Sequence, residues 1–277
     1  MSKLSIRKVR LAFSRRGQAP LIALDDIDIA VPDKQFAVIV GPSGCGKSSL
    51  LYLVAGLTEP SGGELLLDGR RIEGSGRDRG MVFQSYTLFP WLTVRGNVAF
   101  GLRLRGVAAA EVRATVDRYL REVGLNGFED AYPKQLSGGM MQRVALARAM
   151  ANDPEILLMD EPFGALDSQT RLVMQQLLLR VWEHEYKTVL FVTHDIDEAI
   201  FLGDRVFVMT ARPGRIKEEI AVDLPRPRAA TVTMSAQFLA IKQRILGLLQ
   251  EEVNKSLGLE PVAADDRLLT KSSNTAI

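Results

Sequence analysis

The stretch "AVIVGPSGCGKSSLLYLVAGL", residues 37–57, passes from four consecutive apolar residues through a glycine-rich turn into a run with helical spacing. A continuous apolar run is the pattern of a strand covered on both faces, as in a parallel sheet. The turn "GPSGCGKSS" fits G-x-x-x-x-G-K-[ST] and stands between strand and helix, the context that motif requires. Its glycines let backbone N–H groups from about Gly44 to Ser48 converge on phosphate oxygens at a helix N-terminus, where the dipole is positive. Gly41, Pro42, Ser43, Gly44, Cys45, Gly46, Lys47, Ser48 and Ser49 are therefore candidates to enclose the phosphates of ATP. Lys47 suits the β- and γ-phosphates, and the Ser48 hydroxyl suits Mg²⁺. Cys45 is either a small filler or, because Lys47 and a helix N-terminus would lower its pKa, a thiol that alkylation attacks and ATP protects.

Working outward, "EILLMD" (155–160) and "TVLFVT" (188–193) repeat the buried-strand pattern, and "RVFVMT" (205–210) adds another. Residues 4–13 and 22–31 instead alternate apolar and polar, as half-buried antiparallel strands do. Helical spacing dominates from 88 to 154: Val112, Val116, Tyr119, Leu120 and Val123 share a face, with Gly124 as a stop. The spacing implies an α/β protein with a P-loop NTPase core, a mainly parallel sheet, an antiparallel β subdomain and a helical insertion. The expected organisation is a nucleotide-binding domain over 1–225, with the insertion at about 88–154. Residues 226–277 then supply a Pro- and Arg-containing linker, a short C-terminal helix near 235–255 and a loose tail.

Composition bounds the partners. Among 277 residues, 35 Lys and Arg stand against 33 Asp and Glu, a net charge of +2 that gives no reason to expect nucleic acid. No uncharged apolar run reaches the roughly 18 to 20 residues that cross a bilayer, and no secretory signal is visible, so a cytoplasmic location is expected. The single cysteine excludes an internal disulfide and a cysteine-based metal site. The longest uncharged run, "MVFQSYTLFPWLTV" (81–94), is broken by Pro90 and rich in aromatic residues, which suits a docking surface.

The strand ending in Asp160 and Glu161 delivers two acids to the sheet edge where ligands gather in open α/β folds. Successive strand residues face opposite ways, so the two divide the work. Asp160 suits the Mg²⁺ shell through water, and Glu161 suits polarising or deprotonating the attacking water. His194 follows "TVLFVT" and reaches the same edge, within reach of a γ-phosphate. Gln84, at the opening of the helical insertion, suits Mg²⁺ or the lytic water and marks a hinge. A second glycine-rich helix start, "LSGGMMQR" (136–143), lacks a cationic side chain. Ser137 caps it, and the N–H groups at Gly138 and Gly139 form an anion site. A head-to-tail pair of chains would let each segment close the partner's ATP site.

These motifs, in this order, resemble the ATP-binding cassette (ABC) transporter ATPases over residues 4–222: Walker A "GPSGCGKSS", Gln84 of the Q-loop, the signature "LSGGM", Walker B "ILLMDE", the D-loop "GALD" with Asp167, and the switch His194. The resemblance implies an ABC ATPase fold and a dimer sandwiching two ATPs, with Ser137, Gly138, Gly139 and Asp167 acting in trans. It also implies catalytic roles for Lys47, Gln84, Glu161 and His194, Mg²⁺ at Ser48, Gln84 and Asp160, and Phe13 stacked on adenine where many members have tyrosine. Met140 departs from the glutamine common after "LSGG".

"LFPWLTVRGNVAFGL" (88–102) and "MTARPGRIKEEIAVDLPRPR" (209–228) look like the nitrate, sulfonate and taurine importer branch. That likeness implies a second copy of the chain and an integral membrane permease as partners, with a periplasmic solute-binding protein acting indirectly, at the cytoplasmic face of the inner membrane. Tyr86, Phe89 and Trp91 are candidates to receive a permease helix, local core packing being the other use for them. The competing readings are a soluble ABC ATPase acting on DNA or ribosomes, which usually carries a paired cassette or long coiled coil, and a P-loop kinase, which leaves "LSGGMMQR" unused.

Overall fold

Alternation within each buried strand organises the molecule. Residues 2–257 are described by the computed structural model, the side chains at 15, 256 and 257 excepted. The chain opens with β1 (Ser2–Arg15), β2 (Gln18–Pro32), β3 (Phe36–Val40), α1 (Lys47–Ala55), β4 (Gly62–Leu67), β5 (Arg70–Arg71) and β6 (Arg79–Val82). The helical insertion follows as α2 (Val94–Leu104), α3 (Ala109–Glu122) and α4 (Gly138–Ala151). The chain then continues through β7 (Ile156–Asp160), α5 (Ser168–Glu185), β8 (Thr188–Thr193), α6 (Ile196–Leu202), β9 (Arg205–Met209), β10 (Ile216–Ala221) and α7 (Ala236–Leu257).

One sheet runs β10-β9-β3-β8-β7-β6, parallel except for β10, and a second, antiparallel, runs β2-β1-β4-β5. In β3, Phe36, Val38 and Val40 face the helical layer, while Ala37 and Ile39 face α1 and the antiparallel sheet. Both faces of the strand are therefore buried, which is why its apolar run is unbroken. β4, β5 and β10 were not anticipated. β10 is an edge strand carrying two adjacent glutamates, Glu218 and Glu219, which blur the apolar alternation.

The insertion forms where helical spacing puts it. Val112, Val116, Tyr119 and Leu120 of α3 are buried, as is Val123 just beyond it. α2 begins at Thr93, whose hydroxyl accepts from Gly96 N at 3.1 Å. Buried Asn97 closes the preceding turn by accepting from Phe89 N and donating to the carbonyls of Phe89, Leu92 and Thr93.

The C-terminal helix, 22 residues long and within two residues of the expected bounds, buries Phe238 and Ile245 against its own chain. The expected tail lies outside the described residues. The Pro- and Arg-containing stretch before α7 is anchored to the body. Arg226 stacks on Trp182 and pairs with Asp204. Arg228, its side chain fully buried, donates to the carbonyls of Ile200, Phe201, Gly203, Val222 and Leu224. Those acceptors include the orphan carbonyls at the C-terminus of α6, which Arg228 satisfies in place of water.

Replacing Arg228 by Met strands these carbonyls. Thermal unfolding should then show a loss of about 3 kcal/mol, a fall in Tm of roughly 6 to 12 °C. An unchanged Tm would mean that water reaches them.

Candidate functional site

Strand register assembles the site. Val40 lies opposite Thr193, and Asp160 lies opposite Val192. The residues leaving β3, β8 and β7 thus emerge side by side at about 4.8 Å spacing: the phosphate loop, then His194, then Glu161. Val82 lies opposite Met159, so Gln84 emerges next along the same edge.

The loop is built on left-handed glycines. Gly46 has φ +104°, and a Cβ there would come within 2.7 Å of Leu24 Cδ2. Gly44, at φ +76°, is equally closed to ordinary residues without strain. Lys47 is 5% exposed and its Nζ donates to Gly41 O at 2.9 Å and Pro42 O at 3.1 Å, so the ammonium spans the loop mouth.

Ser48 Oγ donates to Asp160 Oδ1 at 2.8 Å. Burial pushes the Asp160 carboxyl above its ordinary pKa, while hydrogen bonds from Ser48 and Tyr52 draw it down. Tyr52, in α1, went unnoticed in the sequence because its helical position carries no motif. Glu161 adopts φ +41°, a strained turn that swings it away from Asp160. Its Oε2 lies 2.8 Å from His194 Nδ1, and its Oε1 lies 3.9 Å from Lys47 Nζ. Neighbouring acids thus take separate partners, but through this turn and not through strand alternation, because β7 ends at Asp160.

A cleft of about 390 Å³ adjoins this row, lined by residues that include Phe13, Leu21, Ser43, Lys47, Gln84, Glu161 and Arg212. Phe13, 45% exposed, offers a ring at its rim. A larger cleft between α2 and α3, about 510 Å³, contains none of the motif residues. Among the described residues no group of three His, Cys, Asp or Glu side chains is disposed to hold a metal alone. The oxygen donors Ser48 and Asp160 fit an ion that takes most of its ligands from phosphate and water, as Mg²⁺ does.

Ser137, Gly138, Gly139 and Asp167 do not line this cleft. Ser137 caps α4, accepting from Met140 N at 3.3 Å. A Cβ on Gly138 would meet Tyr86 Oη at 2.8 Å, so the segment after Gln84 touches this helix start. Asp167 caps α5, and hydrogen bonds from Thr170, then Gln169, hold its carboxyl below the ordinary range. Of the aromatic trio, Phe89 packs on Phe100 (4.5 Å between centroids), Tyr86 is half-buried, and Trp91 is 69% exposed. Arg148 crosses Phe89 and donates to Thr87 O and Tyr86 O, tying this aromatic surface to the Gln84 segment.

Residues 24–164 match the ABC transporter family. The chain belongs to that family. This ABC ATPase is 54% identical over 255 residues to an uncharacterized ABC transporter ATP-binding protein of Methanocaldococcus jannaschii, spanning 92% of this chain and 94% of that one. It is 45% identical to the nitrate import ATP-binding protein NrtD of Synechocystis sp. (87% and 92% covered). It is also 46% identical to the aliphatic sulfonates import ATP-binding protein SsuB of Bacillus licheniformis (88% and 92% covered). The ATP-binding cassette MJ0796, solved as a post-hydrolysis dimer with ADP and phosphate, superposes with TM-score 0.71 at 34% identity, over 80% of this chain and 100% of that one. The chain is therefore an ATP-binding, ATP-hydrolysing subunit with the ABC ATPase fold. Among the described residues no helix is long and apolar enough to cross a membrane.

Cys45 corrects the idea of a reactive thiol. It is 1% exposed, and burial pushes its pKa up against the pull of the Lys47 charge. A Cβ on Gly41 would sit 2.9 Å from its sulfur, so the side chain fills space beneath the loop. A thiol reagent such as DTNB should label native Cys45 at least about tenfold more slowly than the unfolded chain. Equal rates would contradict this burial.

Proposed function

We propose that this ABC ATPase drives an importer of a small anion such as nitrate, a sulfonate or taurine, as a head-to-tail dimer beneath a separate permease. The observation that carries the reading is the row Lys47, His194, Glu161 and Gln84 along one sheet edge, with Ser137–Gly139 outside the cleft it borders. A site so arranged holds the triphosphate on one face and lacks a cover for the γ-phosphate. The N-terminus of α4 in a second copy supplies one, with Asp167 of that copy beside it.

In this mechanism residues 41–49 grip the phosphates and Phe13 meets the adenine. Ser48 and Asp160, with Gln84, hold Mg²⁺, which when bound neutralises phosphate charge. Glu161 takes the proton of the attacking water, and His194, bonded to it at Nδ1, fixes the carboxylate's direction. Lys47 stabilises charge developing on the phosphates.

Residues 1–225 make the nucleotide-binding domain, with 88–154 as its helical subdomain. Residues 226–277 are an appended segment. A groove of about 540 Å³ lined by Phe89, Phe100, Leu104 and Arg148 receives a permease helix, with exposed Trp91 beside it. Arg148 then links that helix to Gln84. The chain sits on the cytoplasmic face of the inner membrane. The likeness to nitrate and sulfonate import proteins supports the anion class, and a periplasmic binding protein makes the selection.

Glu161→Gln keeps the shape of the side chain and removes its basicity. It should bind ATP with parental affinity, lower kcat by about 100-fold or more, and run as a dimer with ATP in size-exclusion light scattering. Near-normal hydrolysis would remove Glu161 from its role, and an ATP-loaded monomer would remove the shared enclosure.

A further inference from the structure

The nucleotide cleft contains a cation that none of the phosphate-directed motifs supplies. Arg212 projects from the turn between β9 and β10 and lines the cleft together with Phe13, Ser43 and Lys47. Its Nη2 donates to Gly44 O at 2.9 Å, on the phosphate loop itself. Among the described residues no carboxylate forms an ion pair with it, whereas nearby Arg215 and Arg10 both pair with Asp25. An exposed guanidinium held only by a carbonyl, facing a cleft meant for a polyanion, is poised to exchange that carbonyl for phosphate oxygens.

The turn that carries Arg212 is held from three sides. Thr210 N donates to Arg215 O, and Arg215 N donates to Thr210 Oγ1, each at 2.9 Å. Gly214 exchanges backbone hydrogen bonds with β2: Asp25 N donates to Gly214 O at 3.0 Å, and Gly214 N donates to Ala23 O at 2.9 Å. A Cβ on Gly214 would lie 2.1 Å from Cys45 O, so only glycine lets the turn sit against the phosphate loop. The third support is α7. Glu252, 5% exposed, accepts from Ala211 N at 3.1 Å and pairs with Lys217 Nζ at 2.8 Å, while Lys217 also donates to Leu248 O.

We propose that Arg212 is a further nucleotide-binding residue, contacting the phosphates of a nucleoside di- or triphosphate, and that α7 positions it through the bond from Glu252 to Ala211 N. The proposal rests on residues 41–49 being the nucleotide site and gives α7 a role in shaping it.

Calorimetric titration of the full-length protein with ADP and Mg²⁺, at low and high salt, tests it. Arg212→Met should weaken binding about tenfold at low salt and less at high salt, and Arg212→Lys should recover most of the loss. Glu252→Ala should weaken binding about threefold and add nothing to Arg212→Met. Glu252→Gln, which keeps an acceptor for Ala211 N, should bind like the parent. Lys47→Ala serves as the control. If it loses binding while Arg212→Met stays within about twofold of the parent, Arg212 is not a ligand. If Lys47→Ala itself binds like the parent, residues 41–49 are not the nucleotide site and the proposal falls with that reading. A loss in Arg212→Met that is equal at both salts and not rescued by Lys overturns the phosphate contact in favour of a brace on the loop. Parental affinity in Glu252→Ala removes α7 from the arrangement.

Discussion

Hydrogen bonding between β3 and β8 and between β8 and β7 is the constraint on which the rest depends. It sets Val40 against Thr193 and Asp160 against Val192, so the phosphate loop, His194, Asp160 and Glu161 all stand at those strand ends. A parallel ladder places successive strand ends level, so three loops far apart in sequence open at one edge. Slipping any of these strands by one residue would exchange the side chains packed on its two buried faces and displace its functional side chain. Burial on both faces of the sheet therefore fixes the register and the active-site geometry together.

Rigidity around the site comes from polar groups as much as from the apolar layers. Ser48 is tied to Asp160, Glu161 to His194, and Arg148 to the backbone that follows Gln84. The first two pairs join elements of the core, whereas Arg148 lies in α4 and ties the helical insertion to the sheet edge at Gln84. The C-terminal part takes part in the same way. Arg228 closes the end of α6, and Glu252 and Lys217 fasten α7 to the β9–β10 hairpin beside the phosphate loop.

Much of the fold was legible because its signals are local. The buried strands β3, β7, β8 and β9 appear as unbroken apolar runs, α3 appears as a helical face with its stop near the observed end, and α4 appears at its capped start. Belonging to the ABC transporter family could likewise be read from motif order. The edge strands β5 and β10 were not legible, since edge strands need no buried alternation, and β4 opens on two glycines that carry no apolar signal. Tyr52 and Arg212 belong to none of the phosphate-directed motifs, and of the two uses open to Cys45 burial selects the filler, which charge neighbours visible in sequence could not decide.

The sequence by itself determined that a strand, a glycine-rich loop and a helix present backbone N–H groups to phosphate. Those are properties of a few consecutive residues and their allowed dihedrals. Only the tertiary structure decided which distant side chains complete the site: Asp160 on Ser48 from 112 positions away, His194 on Glu161, and Arg212 at Gly44. Such pairings follow from strand order and packing between elements. They leave no periodic trace along the chain, so motif order brought Ser48, Asp160, Glu161 and His194 to one edge while the individual bonds between them, and Arg212, came only from the folded arrangement.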